Sequence, residues 1–351
     1  MAIHFDPSRW EKVRETYEKW WNRELDRPVM NIRVNNVHRP EGEVPRAPLL
    51  SQVVCADLSY SAEELVDAID YHLQSTEFLG DSFPAVNLDS FGPGVLSAFC
   101  GARLDNSSGR VWFSVEPRLP IEEIHLSYDP SNQWAKRIKD IYRAGLHKWN
   151  GVVLMGMPDL GGVLDVAATF RGSEELLMDL YDSPDEVWRL CGEIQNAWYE
   201  AYHDLEAVLQ PGNGGYSDWG GAYSAVPSYI LQSDFSYMIG PEMFNQFVLP
   251  CLKRDCEELD HTIYHLDGVG EIPHLDSLLT LDKLDAVQWV YGDGKPTARH
   301  WIDLYRKIAA AGKGIHLVGD GEDLREVYTQ IKDNIYFPYT FDAKDLEYAR
   351  A

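Results

Sequence analysis

The sequence predicts an α/β protein built as a single (β/α)8 barrel domain over residues 1–351. Strand-like segments alternate with helix-like segments along the chain, and about eight such strands can be counted between residues 29 and 340. This alternation is typical of parallel β/α units. No Gly/Ser-rich or Pro-rich linker divides the chain. A doubly wound sheet is the alternative, but no glycine-rich phosphate motif follows the first strand.

A helical extension over residues 1–26 should precede the barrel. Its apolar face carries large side chains at helical spacing, which are Trp10, Val13, Tyr17, Trp20 and Trp21. Pro28 ends this helix, because the residue before a proline disfavours the α conformation. The first strand is predicted at residues 29–34, and Ser61 is expected to cap a helix over residues 61–75.

The remaining elements follow in chain order. Residues 84–89 resemble a strand, and residues from about 93 to 126 are predicted to form a β insertion. The later strands are expected at residues 151–157, 229–234, 261–266, 285–290, 314–318 and 335–340. The helices between them are expected at residues 131–148, 173–182, 184–208, 241–258, 271–279, 299–312 and 321–331.

Composition excludes several classes of function. The formal net charge is −25, with 31 Lys and Arg against 56 Asp and Glu, so nucleic acid and anionic lipid are repelled. No apolar run reaches the roughly 20 residues of a membrane helix. The N-terminus lacks an apolar signal-peptide core, and the five scattered cysteines do not form a secreted disulfide pattern. We therefore expect a cytoplasmic protein.

A barrel carries its reacting groups at the carboxyl ends of its strands. The pattern His265-Leu266-Asp267 follows an apolar run, and its first and third side chains share one side of an extended chain. A histidine and a carboxylate so placed either ligate a metal or form an acid/base pair. The alternative is a structural histidine beside a carboxylate that caps the next helix.

Other strand ends add further candidates. Asp218 and Trp219 lie in a glycine-rich loop that either approaches a ligand or forms an ordinary turn. Asp234 either caps its own turn or faces the pocket. The remaining polar or aromatic candidates at strand ends are Asn87, Gln288 and Trp289. Four other histidines are expected to be structural, namely His261, His274, His300 and His316.

Four segments resemble the uroporphyrinogen decarboxylase superfamily, which includes the cobalamin-linked methyltransferases. They are AATFRGSEELLMDLYDSPDEVWRL (167–190), SDWGG (217–221), SDFSYMIGPEMFNQFVLPCLKR (233–254) and IYHLDGVG (263–270). The resemblance extends over roughly residues 150–320 and implies a (β/α)8 barrel.

The methyltransferase branch of this superfamily holds zinc with a His-x-Cys pair and a later cysteine. Here the pair is His265 and Asp267, and no cysteine follows Cys256. The usual thiolate site of this branch is therefore not expected. A zinc site of His265, Asp267 and another carboxylate is the alternative, because zinc also accepts such ligands.

Together these features favour a methyltransferase that moves a methyl group from a small methylated substrate to a corrinoid on a separate protein. The predicted catalytic residues are His265, Asp267 and Asp218. The predicted substrate-binding residues are Trp219, Asp234, Tyr237, Gln288, Trp289 and Asn87. Of these, Trp219, Trp289 and Tyr237 are expected to form the walls of the pocket, and Gln288 is expected to orient the substrate. His265, Asp267, Asp218 and Gln288 are expected to converge on one cavity. A homodimer is the expected oligomer.

Two alternatives keep the barrel but change its function. Paired carboxylates such as Asp218 and Asp267 amid aromatic walls also suit a decarboxylase, another lyase or a glycoside-processing enzyme. The third hypothesis is a non-catalytic barrel that binds a small molecule.

Overall fold

Hydrophobic strand segments assemble a seven-stranded, mostly parallel sheet at the centre of a mixed α/β fold. The computed structural model describes residues 2–350. The strands are β1 (Val29–Asn35), β2 (Glu77–Gly80), β3 (Ala85–Val86), β4 (Arg103–Asp105), β5 (Trp112–Ser114), β6 (Leu154–Met155), β7 (Ser228–Gln232), β8 (His261–Asp267), β9 (Ala286–Val290), β10 (Gly314–Leu317) and β11 (Ile335–Asp342).

Thirteen helices accompany the strands in the described residues. They are α1 (Pro7–Trp21), α2 (Ala62–Gln74), α3 (Leu96–Phe99), α4 (Gln133–Trp149), α5 (Val163–Arg171), α6 (Ser173–Asp182), α7 (Pro184–Asn213), α8 (Pro241–Met243), α9 (Leu249–Glu258), α10 (Leu275–Leu278), α11 (Ile302–Ala310), α12 (Gly321–Ile331) and α13 (Leu346–Arg350). In the described part of the chain, none of them is both long and apolar enough to span a lipid bilayer.

The sheet has the strand order β2-β1-β11-β10-β9-β8-β7. All its neighbouring strands run parallel except β2, which is antiparallel to β1. Strands β3 and β6 form a separate parallel pair, and β4 and β5 form an antiparallel hairpin. Among residues 2–350 no strand pairing joins the two edge strands of this sheet, β7 and β2, so the sheet does not close on itself. The structure therefore confirms a mixed α/β fold with a mostly parallel sheet of seven strands, but it does not show the closed eight-stranded barrel that the sequence predicts.

Helix α1 seals the sheet at the end where the strands begin. Its predicted apolar face is confirmed, and Tyr17 and Trp20 are completely buried. The Trp21 ring stacks on His261 at the start of β8, with the ring centroids 4.3 Å apart. Its indole N–H donates to the carbonyl oxygen of Tyr223 at 2.8 Å. These contacts leave the opposite end of the strands open for a site.

Several boundaries differ from the sequence prediction for local reasons. Helix α5 and strand β2 were not predicted. The helix expected over residues 241–258 contains a π-helical turn at Phe244–Val248. Pro250 lies just after this turn and has no N–H to donate to the preceding turn, which explains the altered hydrogen bonding. Residues 93–126 contain α3 and the β4–β5 hairpin.

The predicted cap of α2 is confirmed and can be tested by mutation. The Ser61 hydroxyl accepts from the Glu64 N–H, and the Glu64 carboxylate accepts from the Ser61 N–H. Ser61→Ala should lower the free energy of unfolding by about 1 kcal/mol, because it breaks the reciprocal pair of hydrogen bonds that satisfies the Glu64 and Ser61 N–H groups at the start of the helix. Ser61→Asp should keep most of the stability. Urea unfolding of the three proteins measures both effects, and equal stability of Ser61→Ala and wild type would contradict this account.

Candidate active site

Strands β8, β9 and β10 place three polar side chains in one row across the sheet. His265 pairs with Gln288, and Gln288 pairs with His316, in the parallel register of these strands. All three residues line a cavity of about 690 Å³, and Asp218 and Trp219 line it from the loop before β7. Three of the four residues expected to converge, His265, Asp218 and Gln288, therefore share this cavity.

Gln288 holds the imidazole of His265 in a defined state. Its amide oxygen accepts a hydrogen bond from Nδ1 of His265. An amide oxygen only accepts, so the proton lies on Nδ1 and the Nε2 lone pair is available. The Gln288 amide nitrogen contacts the ring nitrogens of His316 at 3.1 and 3.2 Å. Gln288 thus positions two histidines, whereas sequence reasoning predicted only that it orients a substrate.

His265, Asp267 and Asp234 form a compact cluster of possible metal ligands, which we call the ligand cluster. One donor atom from each side chain lies within 4.8 Å of the others. Asp234 is exposed, and the other two are half-buried. Although the residue as a whole is exposed, protein atoms around its carboxyl group limit hydration there, and together with the Asp267 carboxylate this raises the pKa of Asp234 to about 6. Burial lowers the pKa of His265, so its neutral, ligating form is favoured.

Asp234 is free for this role because a neighbour caps its turn. The Asp165 carboxylate accepts from the backbone N–H groups of Asp234 and Phe235 at 3.1 and 2.7 Å. Ser233, which precedes the turn, makes no side-chain capping hydrogen bond, so among the described residues Asp165 supplies the cap. Of the two sequence interpretations of Asp234, the cap is wrong.

Further buried carboxylates surround the ligand cluster. Burial raises the pKa of Asp159 to about 8, that of Asp165 to about 7 and that of Glu271 to about 10. Glu271 accepts from the Tyr264 hydroxyl at 3.1 Å through one oxygen, and its other oxygen lacks a partner among residues 2–350. No ion pair of the described residues involves these carboxylates or those of Asp234 and Asp267. These carboxyl groups have no protein cation beside them, and burial therefore favours their neutral, protonated forms.

Asp218 supports the cavity wall rather than presenting a free carboxylate. One of its oxygens accepts from the Gly220 N–H and the other from the Ile230 N–H, both at 2.8 Å. Burial raises its pKa to about 6. These bonds fix the loop that carries Trp219, whose ring meets His265 edge-on at 5.1 Å between centroids. Asn87 donates to the Trp219 carbonyl oxygen at 3.3 Å and also lines the cavity.

Two predicted wall residues do not line the cavity. Trp289 follows Gln288 on β9, so strand alternation turns it to the outer face, where it is fully buried against Trp301. Tyr237 is 52% exposed and packs over Gly268 and Gly270. The predicted role of these two aromatic residues as walls of the large cavity is therefore wrong.

Sequence reasoning missed a polar stripe on β1. Asn31, Arg33 and Asn35 alternate along the strand and all line the cavity. Arg33 donates to the carbonyl oxygen of Ala85 at 3.3 Å and forms no ion pair with any described residue. The period of two was visible in the sequence and would have indicated one polar face. His316, predicted to be structural, also faces the cavity.

Comparison with known proteins supports the fold alone. The structure is similar to that of a methyltransferase from Methanosarcina mazei, with a TM-score of 0.60 over 96% of this chain and 98% of that chain. The sequence identity is 10%. The sequence matches no known protein family and no curated protein in the comparisons made.

The buried carboxylate of Asp159 predicts a pH dependence of stability. Its pKa of about 8 in the folded protein lies above the ordinary value of 3.8. Its contribution to the free energy of unfolding is therefore fully present below about pH 4 and is lost as the pH rises toward 8. The side chain of Asp159→Asn cannot ionise, so the free energy of unfolding of this variant should fall less between pH 5 and pH 8. Urea unfolding at these two pH values measures the difference.

Asp182→Asn provides the control, because Asp182 is an exposed carboxylate at the end of α6. This substitution should leave the pH dependence unchanged. If the free energy of unfolding of Asp159→Asn falls with rising pH as steeply as that of wild type, the Asp159 carboxylate does not titrate as described.

Proposed function

We propose that this chain is a methyltransferase that moves a methyl group from a small methylated substrate to a corrinoid on a separate protein. The observation that carries the proposal is the ligand cluster of His265, Asp267 and Asp234 beside the large cavity. The likeness of the fold to a protein named as a methyltransferase is consistent with it. In this proposal the sheet, β3 and β6 belong to a (β/α)8-type barrel that reacts at the carboxyl ends of its strands.

The ligand cluster fits zinc in its donor chemistry. One imidazole and two carboxylates are accepted zinc ligands. None of the five cysteines, all of which lie in the described residues, lines the large cavity. The site is therefore proposed without thiolate ligands. Bound zinc would act as a Lewis acid on the substrate heteroatom from which the methyl group is removed.

The protein's own residues define where the methyl group is released. When the carbon–heteroatom bond breaks, its electron pair stays on the heteroatom, so the site must stabilise charge at that atom. His265 is held by Gln288 with its Nε2 lone pair available, and Trp219 packs against its ring. Asn87 and Asp218 hold the Trp219 loop in place. These contacts keep the reacting centre rigid.

A corrinoid-carrying protein, a homodimer and a cytoplasmic location belong to the same proposal. The corrinoid is the methyl acceptor and arrives with its carrier protein. The large cavity, of about 690 Å³, provides a place where substrate and acceptor can meet.

The role of His265 predicts a coupled loss of metal and activity. His265→Ala should lose zinc binding in equilibrium dialysis and should lower methyl transfer to free cobalamin by at least about a hundredfold. The zinc binding and methyl transfer of Asp267→Asn should lie between those of wild type and His265→Ala, because asparagine keeps the shape of the side chain but lacks its charge. The melting temperature of His265→Ala should stay close to that of wild type.

His203→Ala is the matched control, since His203 is an exposed histidine on α7. It should bind zinc and transfer methyl groups like wild type. A destabilised His265→Ala protein that keeps its zinc and its activity would contradict the proposal.

Arg33 favours a second candidate function, a decarboxylase or other lyase that acts on a small acid. Its guanidinium faces the cavity without an acidic partner in the described residues, although the chain has a net charge of −25. Burial lowers its pKa, which reflects the cost of a cation without a counter-ion. A substrate carboxylate would supply that counter-ion through paired hydrogen bonds.

This second candidate predicts that a carboxylate binds through Arg33. Benzoate should bind the wild-type protein more tightly than benzyl alcohol in isothermal titration calorimetry. Arg33→Gln should weaken benzoate binding by about tenfold or more, since a charge-assisted hydrogen bond contributes about 1.5–3 kcal/mol. Binding of benzyl alcohol should not change. Equal benzoate affinities in both proteins would exclude Arg33 as an anion-binding group.

A further inference from the structure

His316 ends the polar row that starts at His265 and continues through Gln288. It is only 1% exposed and does not belong to the ligand cluster. The amide nitrogen of Gln288 lies 3.1 and 3.2 Å from the two ring nitrogens of His316. Among residues 2–350, no other acceptor lies within hydrogen-bond distance of this amide nitrogen. The buried donor groups of Gln288 therefore depend on one partner residue.

The imidazole of His316 is able to accept this hydrogen bond. Burial, together with His265, lowers the pKa of His316 to about 3, so the ring is neutral near pH 7. A neutral imidazole has one bare nitrogen and one N–H. Both ring nitrogens lie close to the amide nitrogen, so the bare one is within reach in either tautomer.

The orientation of the Gln288 amide decides where the proton of His265 lies. A glutamine amide has an acceptor at one end and two donors at the other, and a half turn exchanges them. In the structure the oxygen faces Nδ1 of His265, which places the proton there and leaves Nε2 bare. The reversed amide would donate to a bare Nδ1 and would move the proton of a neutral ring to Nε2. A protonated Nε2 has no lone pair for a metal.

We infer that His316 is a positioning residue, which holds the Gln288 amide in the orientation that keeps Nε2 of His265 bare for a metal. Without an acceptor at residue 316, the buried N–H groups of this orientation lose their partner, which is costly. The reversed orientation then becomes more favourable, because it gives one of these N–H groups to His265.

A metal on Nε2 requires the same orientation. The proton of the neutral imidazole must then lie on Nδ1, where it needs an acceptor such as the Gln288 oxygen. The choice of Nε2 as the metal ligand rests on the proposed function, whereas the orientation of the amide does not.

NMR of the full-length protein with isotopically labelled histidine and glutamine tests the orientation directly. A scalar coupling across an N–H···N hydrogen bond identifies the ring that accepts from Gln288. It should join the Gln288 amide nitrogen to a ring nitrogen of His316, both in the metal-free and in the zinc-loaded protein. In the metal-free protein, the nitrogen shifts should show His265 protonated on Nδ1 and bare at Nε2. A coupling to His265, or none to His316, would overturn the inference.

A double-mutant cycle tests whether His316 acts through Gln288. His316→Phe keeps a planar ring without an acceptor, so metal-free His265 should become a mixture of tautomers and zinc should bind about tenfold more weakly. Gln288→Met should weaken zinc binding by at least as much. Adding His316→Phe to Gln288→Met should cause no further loss, because the amide that His316 positions is gone. Additive losses would mean that His316 acts independently of Gln288, and would overturn the inference.

Further variants separate positioning from packing. The side-chain oxygen of His316→Asn can take the place of Nδ1 and accept from Gln288, so this variant should bind zinc more tightly than His316→Phe. No such rescue, or wild-type affinity in His316→Phe, would contradict the inference. If His316→Phe does not fold, His316→Leu, which also lacks an acceptor, takes its place in the cycle. His203→Phe, at the exposed histidine on α7, is the matched control and should bind zinc like wild type.

Failure of this inference is distinguishable from failure of the proposed function. If the protein binds no zinc, the proposed metal site is wrong. The coupling and the tautomer of His265 in metal-free wild type and His316→Phe then still decide the role of His316. If zinc binds and methyl groups are transferred but the losses in the cycle are additive, the positioning role is overturned and the proposed function stands.

Discussion

The register of β8, β9 and β10 is the constraint on which the site depends. It places His265, Gln288 and His316 at one level and on one side of the sheet. A shift by one residue would bring Leu266 and Trp289 into the cavity and turn the histidines outward. Burial of Trp289 against Trp301 resists such a shift. The hydrophobic packing of the outer face therefore also determines the chemistry of the inner one.

Charge is the second constraint, and it is distributed unevenly. The carboxylates around the ligand cluster have raised pKa values because they are buried without protein cations. Arg33 on the far wall of the large cavity is a cation without an acidic partner among the described residues. Among the described residues, neither these carboxyl groups nor Arg33 forms an ion pair with a residue of opposite charge. Bound ligands would complete both regions, which is consistent with a site that binds a metal and charged substrates.

Local signals predicted much of the fold. The Ser61 cap and the apolar face of the N-terminal helix depend on neighbouring residues in the chain, and both are confirmed. The sequence also indicated His265 and Asp267, because strand periodicity places them on one side. Periodicity could not reveal that Asp165 caps the turn of Asp234, since that contact joins residues 69 apart in sequence. The predicted wall position of Trp289 was wrong because an aromatic residue suits either face of a strand.

X-ray absorption at the zinc edge tests the central claim, a metal site without thiolates, most directly. The zinc-loaded protein should show a first shell of nitrogen and oxygen at about 2.0–2.2 Å, with the scattering pattern of a single imidazole. This imidazole signal should be missing from His265→Ala. A sulfur shell near 2.3 Å, or an imidazole signal that survives the removal of His265, would contradict the account.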